Sequence, residues 1–237
     1  MTEYIIKKLT PDLLEDYFDF FDNRAFSDGS PFYPCYCNAF NMSQKRIHDE
    51  LYKQAADYGG GTEGWKKALR ESAIRMVAFG EIQGYLIYDN GVSIGWCNAN
   101  DRLNYYRVGE FDLSDVPQDE ICDYCQNKGE IKSVVCFEIS PEYRGKGIAT
   151  LLLNRICNDA ELDGYKYVEA YPMISEGVQG LAFTGPKRLY EKAGFDFCYL
   201  KKAHRTRWNY FCFWSFGNLA RWLRFFAFTS EQLFARS

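Results

Sequence analysis

Residues 144–149 read Arg-Gly-Lys-Gly-Ile-Ala and stand between a β-prone run and a helical one. Two glycines let a backbone approach a ligand closely and take dihedrals closed to other residues. The free N–H groups at a helix start, together with the helix dipole, favour a phosphate. Arg144 and Lys146 add positive charge. The turn is not a nucleoside-triphosphate loop, because no Gly-Lys-Ser/Thr is present. It also lacks the third glycine of a dinucleotide fingerprint. The other glycine-rich stretch, 59–67, fails the first test too, since Trp65 separates Gly64 from Lys66.

Acid–base chemistry has few histidines to use. The chain has two, His48 and His204, so proton transfers fall to carboxylates, tyrosine, cysteine or water. Glu138 and Glu169 stand out as carboxylates inside otherwise apolar β-prone runs, where a charge needs a reason. Each is a candidate base, and the competing readings are an edge or solvent-facing glutamate, with water as base. Nine cysteines without a secretory leader read as reduced thiols. Cys35 with Cys37 and Cys122 with Cys125 could offer four thiolates to zinc, but the first spacing is tight and nothing brings the pairs together, so no metal is expected. A cysteine nucleophile needs a partner base, and histidine is scarce.

The elements that must hold these residues are legible from hydrophobic period. Tyr4 to Leu9 is a short strand. Thr10-Pro11-Asp12 starts a helix reaching about residue 25, with Leu13, Leu14, Tyr17, Phe18 and Phe21 on its apolar face. Its acids, Asp12 to Asp22, read as a solvated face rather than a lure for a cationic amine. Residues 27–43 form a loop. Helices are expected at about 44–58 and 62–79, broken by Gly59 to Gly61. Asn90-Gly91 between β-prone runs signals a hairpin. Strands are expected at 131–139 and 165–171 around a helix over 147–162. A helix over 181–193 and two closing strands, 195–200 and 208–213, complete an α/β sheet of mixed direction. Residues 112–130 read as a loop and 217–236 as one more helix.

Composition narrows the class. The 237 residues are 47% hydrophobic, enough for a sizeable core. No run approaches the ~18 apolar residues of a membrane span, and no signal peptide is seen, so a cytoplasmic location is expected. Residues 201–237 carry seven Lys or Arg against one acid, leaving a body of −10 and a tail of +6 within a net −4. An acidic body argues against nucleic-acid binding. The tail, with 11 of 42 aromatics, reads as cover for its own domain or a partner subunit, not as a membrane helix. The expected assembly is a monomer or homodimer.

Arg144 to Ala149 resembles the [QR]-x-x-G-x-[GA] pyrophosphate loop of the GNAT superfamily of N-acetyltransferases. Leu189-Tyr190-Glu191-Lys192-Ala193-Gly194-Phe195 is similar to that family's L-Y-x-K-x-G-F signature, in the right order and about 45 residues downstream. The loop Cys35-Tyr36-Cys37 and the run Glu169-Ala170-Tyr171-Pro172 look like a bacterial subgroup of it. The resemblance covers about 131–200. It implies a mostly antiparallel central sheet with splayed strands 4 and 5, flanked by helices, in a domain over 1–214 with a helical extension at 215–237. It implies acetyl-CoA in the gap between those strands. Phe137 and Ile139 would then meet the pantetheine, an amide near Ile139 would polarise the thioester, and Arg144, Gly145, Lys146, Gly147, Ile148, Ala149 and Thr150 would hold the pyrophosphate. Tyr190, by its place in the signature, would protonate the leaving thiolate, with Glu169 or Glu138 as base. The expected function is acetyl transfer from acetyl-CoA to a primary amine of a small molecule, by direct attack in a ternary complex. The alternative is a non-catalytic acyl-CoA sensor on the same fold.

Overall fold

A computed structural model describes residues 3–30, 32–106, 130–172, 182–201 and 208–215, with side chains up to Phe195. Strand β1 (Ile5–Lys8) leads through a tight turn at Pro11–Leu13 into helix α1 (Leu14–Asn23). Thr10 has the extended backbone of a cap, but its side chain makes no cap bond. Tyr17, Phe18, Phe20 and Phe21 of α1 are buried, as its apolar stripe requires. Of the acids of α1, Glu15 and Asp19 are exposed, as a solvated face requires, while Asp16 and Asp22 are drawn into contacts. Asp16 accepts from Tyr88 at 2.9 Å, Asp19 pairs with Arg24, and Asp22 takes Lys66 and Arg70, each at 2.9 Å, and the Tyr36 hydroxyl at 2.6 Å.

Helix α2 spans 44–57, with α-helical turns at Gln44–Arg46 and Lys53–Asp57 around a π-helical Ile47–Tyr52. Ser43 caps it by accepting from the Arg46 amide. Gly59, Gly60 and Gly61 all have positive φ and turn the chain into α3 (Gly61–Ala78). A Cβ on Gly64 would come within 2.5 Å of the Ala55 carbonyl, so glycine sets how closely α2 and α3 pack.

Strands β2 (Gly84–Asp89) and β3 (Val92–Asp101) form the expected hairpin, with Asn90 and Gly91 both at positive φ. Then come β4 (Ile131–Ile139), α4 (Ile148–Leu162), β5 (Tyr167–Ala170), α5 (Lys187–Lys192), β6 (Asp196–Lys201) and β7 (Trp208–Ser215). The sheet order is β1-β2-β3-β4-β5-β7-β6, and every pairing is antiparallel except β4 with β5. The loop expected at 112–130 lies outside the described residues except for Glu130. The pair Cys122 and Cys125 and the helix expected at 217–236 lie wholly outside them.

Two features of β4 shape the site. Its pairing with β5 runs only from Ile131↔Tyr167 to Val134↔Ala170, so Val135–Ile139 is laddered to β3 alone. This is the splay between strands 4 and 5. The register with β3 also shifts, from Asn98↔Cys136 to Ala99↔Val134, which makes Val135 an extra residue. Val135 and Cys136 consequently both pack into the core beneath α1–α3, whereas Val134 and Phe137 face the core under α4. Beyond the bulge the alternation resumes one residue out of step, and Glu138 follows Cys136 to the α1–α3 side.

Candidate active site

The unladdered end of β4 opens into a cleft of about 830 Å³. Phe137, Glu138 and Ile139 form one wall, the start of α4 another, and α5 a third through Arg188, Leu189 and Lys192. The loop at Asp28, Gly29, Ser30 and Phe32 closes the fourth side, with Phe183 beside it. The Phe32 and Phe183 rings meet edge to face at 5.9 Å.

Helix α4 begins on Gly147, whose φ of 83° is left-handed, and no side chain caps it. The first intrahelical bond runs from Leu151 N to Gly147 O, so the amides of the preceding turn have no helical acceptor. Gly145 also has positive φ, and a Cβ at either glycine would meet no protein atom within 4 Å. The turn is thus held in a shape that glycine favours, with open space over it. Gly145, Gly147, Ile148, Ala149 and Thr150 all border the cleft.

The basic side chains of this turn lie differently from the sequence expectation. The Arg144 Nε donates to the Ile139 carbonyl at 3.0 Å, and its terminal nitrogens reach Asp28 and, at 3.3 Å, Glu138. Lys146 sits over the Tyr143 ring at 4.9 Å and does not border the cleft. Arg188 and Lys192, which sequence reasoning did not single out, stand on the cleft wall instead. Lys192 lies within the quoted L-Y-x-K-x-G-F signature, which was the available signal.

Glu138 and Glu169 part company. Glu138 lines the cleft, with its side chain 15% exposed. Burial pushes its carboxyl up to about 7, while Arg144 and the Ile139 amide pull it the other way. Glu169, expected at the acceptor site, is fully buried and does not border the cleft. It accepts from Ser133 and from the Tyr171 hydroxyl at 2.6 Å, and pairs with buried Arg102 at 3.3 Å. Tyr190 is also fully buried, and its hydroxyl donates to the Thr184 carbonyl. A Cβ on Gly185, which borders the cleft, would lie 3.2 Å from that hydroxyl, so Tyr190 sits directly behind the wall.

The Cys35–Cys37 loop is anchored inward. Asn98 donates to the Cys37 carbonyl at 3.0 Å, and Tyr17 donates to that of Tyr36. Burial pushes the Cys35 thiol up to about 12, which leaves it a poor nucleophile. Among the described residues no three His, Cys, Asp or Glu side chains cluster to hold a metal. Nor is any helix among them long and apolar enough to cross a membrane.

A family model described as an acetyltransferase (GNAT) domain matches residues 81–196, which span β2 to the start of β6 and hold most of the cleft. Over these residues the chain is similar to the GNAT acetyltransferase family. Solved structures resemble it at low identity. An N-acetyltransferase from Staphylococcus aureus Mu50 is 15% identical, with a TM-score of 0.45 over 90% of this chain and 99% of that one. The PaiA N-acetyltransferase from Thermoplasma acidophilum, in complex with coenzyme A, is 14% identical, with a TM-score of 0.45 over the same shares. YncA from Salmonella typhimurium, solved with its cofactor acetyl-CoA, is 13% identical, with a TM-score of 0.46 over 92% of this chain and 96% of that one. No curated protein matches the sequence significantly.

Proposed function

We propose that this GNAT domain transfers an acetyl group from acetyl-CoA to a primary amine of a small molecule, by direct attack in a ternary complex. The observation that carries the reading is the junction of two features in one cleft. The half-laddered end of β4 leads through the turn at 140–147 to the uncapped N-terminus of α4, and both border one cleft. The first is an edge with free backbone groups for an extended amide chain. The second is an anion site.

The residues present fit acetyl-CoA. Amides of 145–150, the open space above Gly145 and Gly147, and Arg188 and Lys192 suit its phosphates. Phe137 and Ile139 suit the pantetheine. Bound there, acetyl-CoA would supply an activated acyl group. Glu138 is the base that takes the proton of the incoming amine, directly or through a water. A carboxyl near 7 is well matched to that task. Tyr190 Oη, which donates to the Thr184 carbonyl behind Gly185, is the group we assign to return a proton to the leaving sulfur, a step that needs the Gly185 wall to shift when the donor binds. A backbone amide near Ile139 serves as oxyanion donor to the reacting carbonyl.

Calorimetry with CoA and acetyl-CoA, followed by thiol release across a broad amine panel, tests the reading. Binding with amine-dependent thiol release supports it. Binding without release from any amine would make the domain a sensor. No binding of either ligand would remove both functions.

A further inference from the structure

We infer that Arg144 is a positioning residue, which docks the 25–28 loop onto the end of β4 and holds Glu138 in place, rather than a ligand of the donor's phosphates. The inference rests on the acetyltransferase reading for its meaning, and its geometry stands on its own.

Four contacts fix the guanidinium. It donates to the Ile139 carbonyl at the end of β4 at 3.0 Å and to the Ala25 carbonyl just after α1 at 3.5 Å. It pairs with Asp28 on the loop and reaches Glu138 at 3.3 Å. These partners lie on the end of β4 and on the 25–28 segment, so one planar fork ties that segment to the strand carrying Glu138. The fork geometry matters, because Lys offers a point charge on a flexible stem instead. Arg144 borders the cleft, yet its guanidinium is committed to two carboxylates and two carbonyls. Arg188 and Lys192 are left as the cations on the donor side of the cleft.

The charges facing Glu138 give this arrangement a signature. They are Arg144 from the turn after β4 and Asp28 from the loop. The thiols of Cys35 and Cys37 on the same loop, and of Cys136 on β4, complete the set. Arg144 favours the carboxylate and Asp28 opposes it. Removing either partner should therefore move the titration of Glu138 in opposite directions.

The test uses the full chain. The Glu138 carboxyl is followed by carbon NMR against pH in the free protein, and CoA affinity is measured by calorimetry. Arg144→Gln should raise the Glu138 midpoint, and Asp28→Asn should lower it. CoA affinity should stay within about threefold in both. With a turned-over amine, Arg144→Gln should lose about tenfold in kcat/KM near pH 6 and no more than about twofold near pH 9. Arg144→Lys should restore the midpoint in part. If Arg144→Gln does not fold, Asp28→Asn and Arg144→Lys carry the test. An unmoved midpoint with CoA affinity down tenfold or more would make Arg144 a phosphate ligand and overturn the inference. An unmoved midpoint with unchanged affinity would overturn it too. Because the titration is read without substrate, failure of the acetyltransferase reading leaves this result interpretable.

Discussion

Ser133 on β4 and Glu169 on β5 stand opposite each other in the parallel ladder, and the serine hydroxyl donates to the glutamate. Just beyond this pair, at Val134↔Ala170, the two strands cease to be laddered. Tyr171 and Arg102 also reach the carboxylate, with Arg102 only 5% exposed. Glu169 thus pins the vertex of the splay. Glu169→Gln removes a carboxylate that pairs with a buried guanidinium, and breaking such a pair costs about 3–5 kcal/mol. Denaturant unfolding should show a drop of that order. The acid limb of the rate profile should be unaltered. A stable variant that has lost that limb would return the base role to Glu169.

Glu138→Gln should behave in the opposite way. Turnover should fall by about 10²–10⁴, the range a positioned base contributes, with CoA affinity unchanged. Wild-type activity should decline as pH falls through about 7, where Glu138 takes up its proton, and the variant should lack that step. Stability has its own sign. The folded carboxyl keeps its proton up to about 7, while the unfolded chain releases it near 4.5. Folding therefore binds a proton between those values, and stability is lost as pH rises through them. Glu138→Gln removes that loss. Its melting temperature should exceed that of wild type above pH 7 and equal it near pH 4.

Much of this was legible in the sequence, and the failures have physical causes. Periodicity set the strands, the Asn90-Gly91 hairpin and α4, because those signals are local. The turn at Gly145 and Gly147 was legible for the same reason. The two glutamates looked equivalent, since each interrupts an apolar run. The bulge at Val135 brings Glu138 to the α1–α3 side of the sheet, the side Glu169 also faces, and what separates the two is the cleft beside Glu138 and the partners that enclose Glu169. A bulge leaves no mark in hydrophobic alternation when both faces are buried. Arg144 was read by proximity in sequence to the helix start, whereas its guanidinium follows partners over 100 residues away at Asp28 and Ala25. Long-range pairings of this kind have no sequence signature.

Tyr190→Phe separates two roles for a hydroxyl in an enclosed position. The deletion strands the Thr184 carbonyl and should cost about 1–3 kcal/mol. If Tyr190 also delivers the proton to sulfur, turnover should fall by at least tenfold while CoA affinity holds. Single-turnover kinetics beside calorimetry reads both. A destabilised variant with an unaltered rate would reduce Tyr190 to packing behind Gly185.

Gly147→Glu probes the anion site without attacking the fold. Gly147 has φ of 83°, so any side chain there carries strain of about 1 kcal/mol, and Gly147→Ala isolates that part. A Cβ there meets no protein atom within 4 Å, so Gly147→Ala introduces no clash. A carboxylate at the positive end of α4 is favourable for the helix, so Gly147→Glu should melt no lower than Gly147→Ala. Its charge, however, falls at the amides offered to the donor's phosphates. CoA affinity should drop by a hundredfold or more in Gly147→Glu and only severalfold in Gly147→Ala. Equal affinities in the two variants would move the phosphates away from this turn, and with them the placement of the donor along β4.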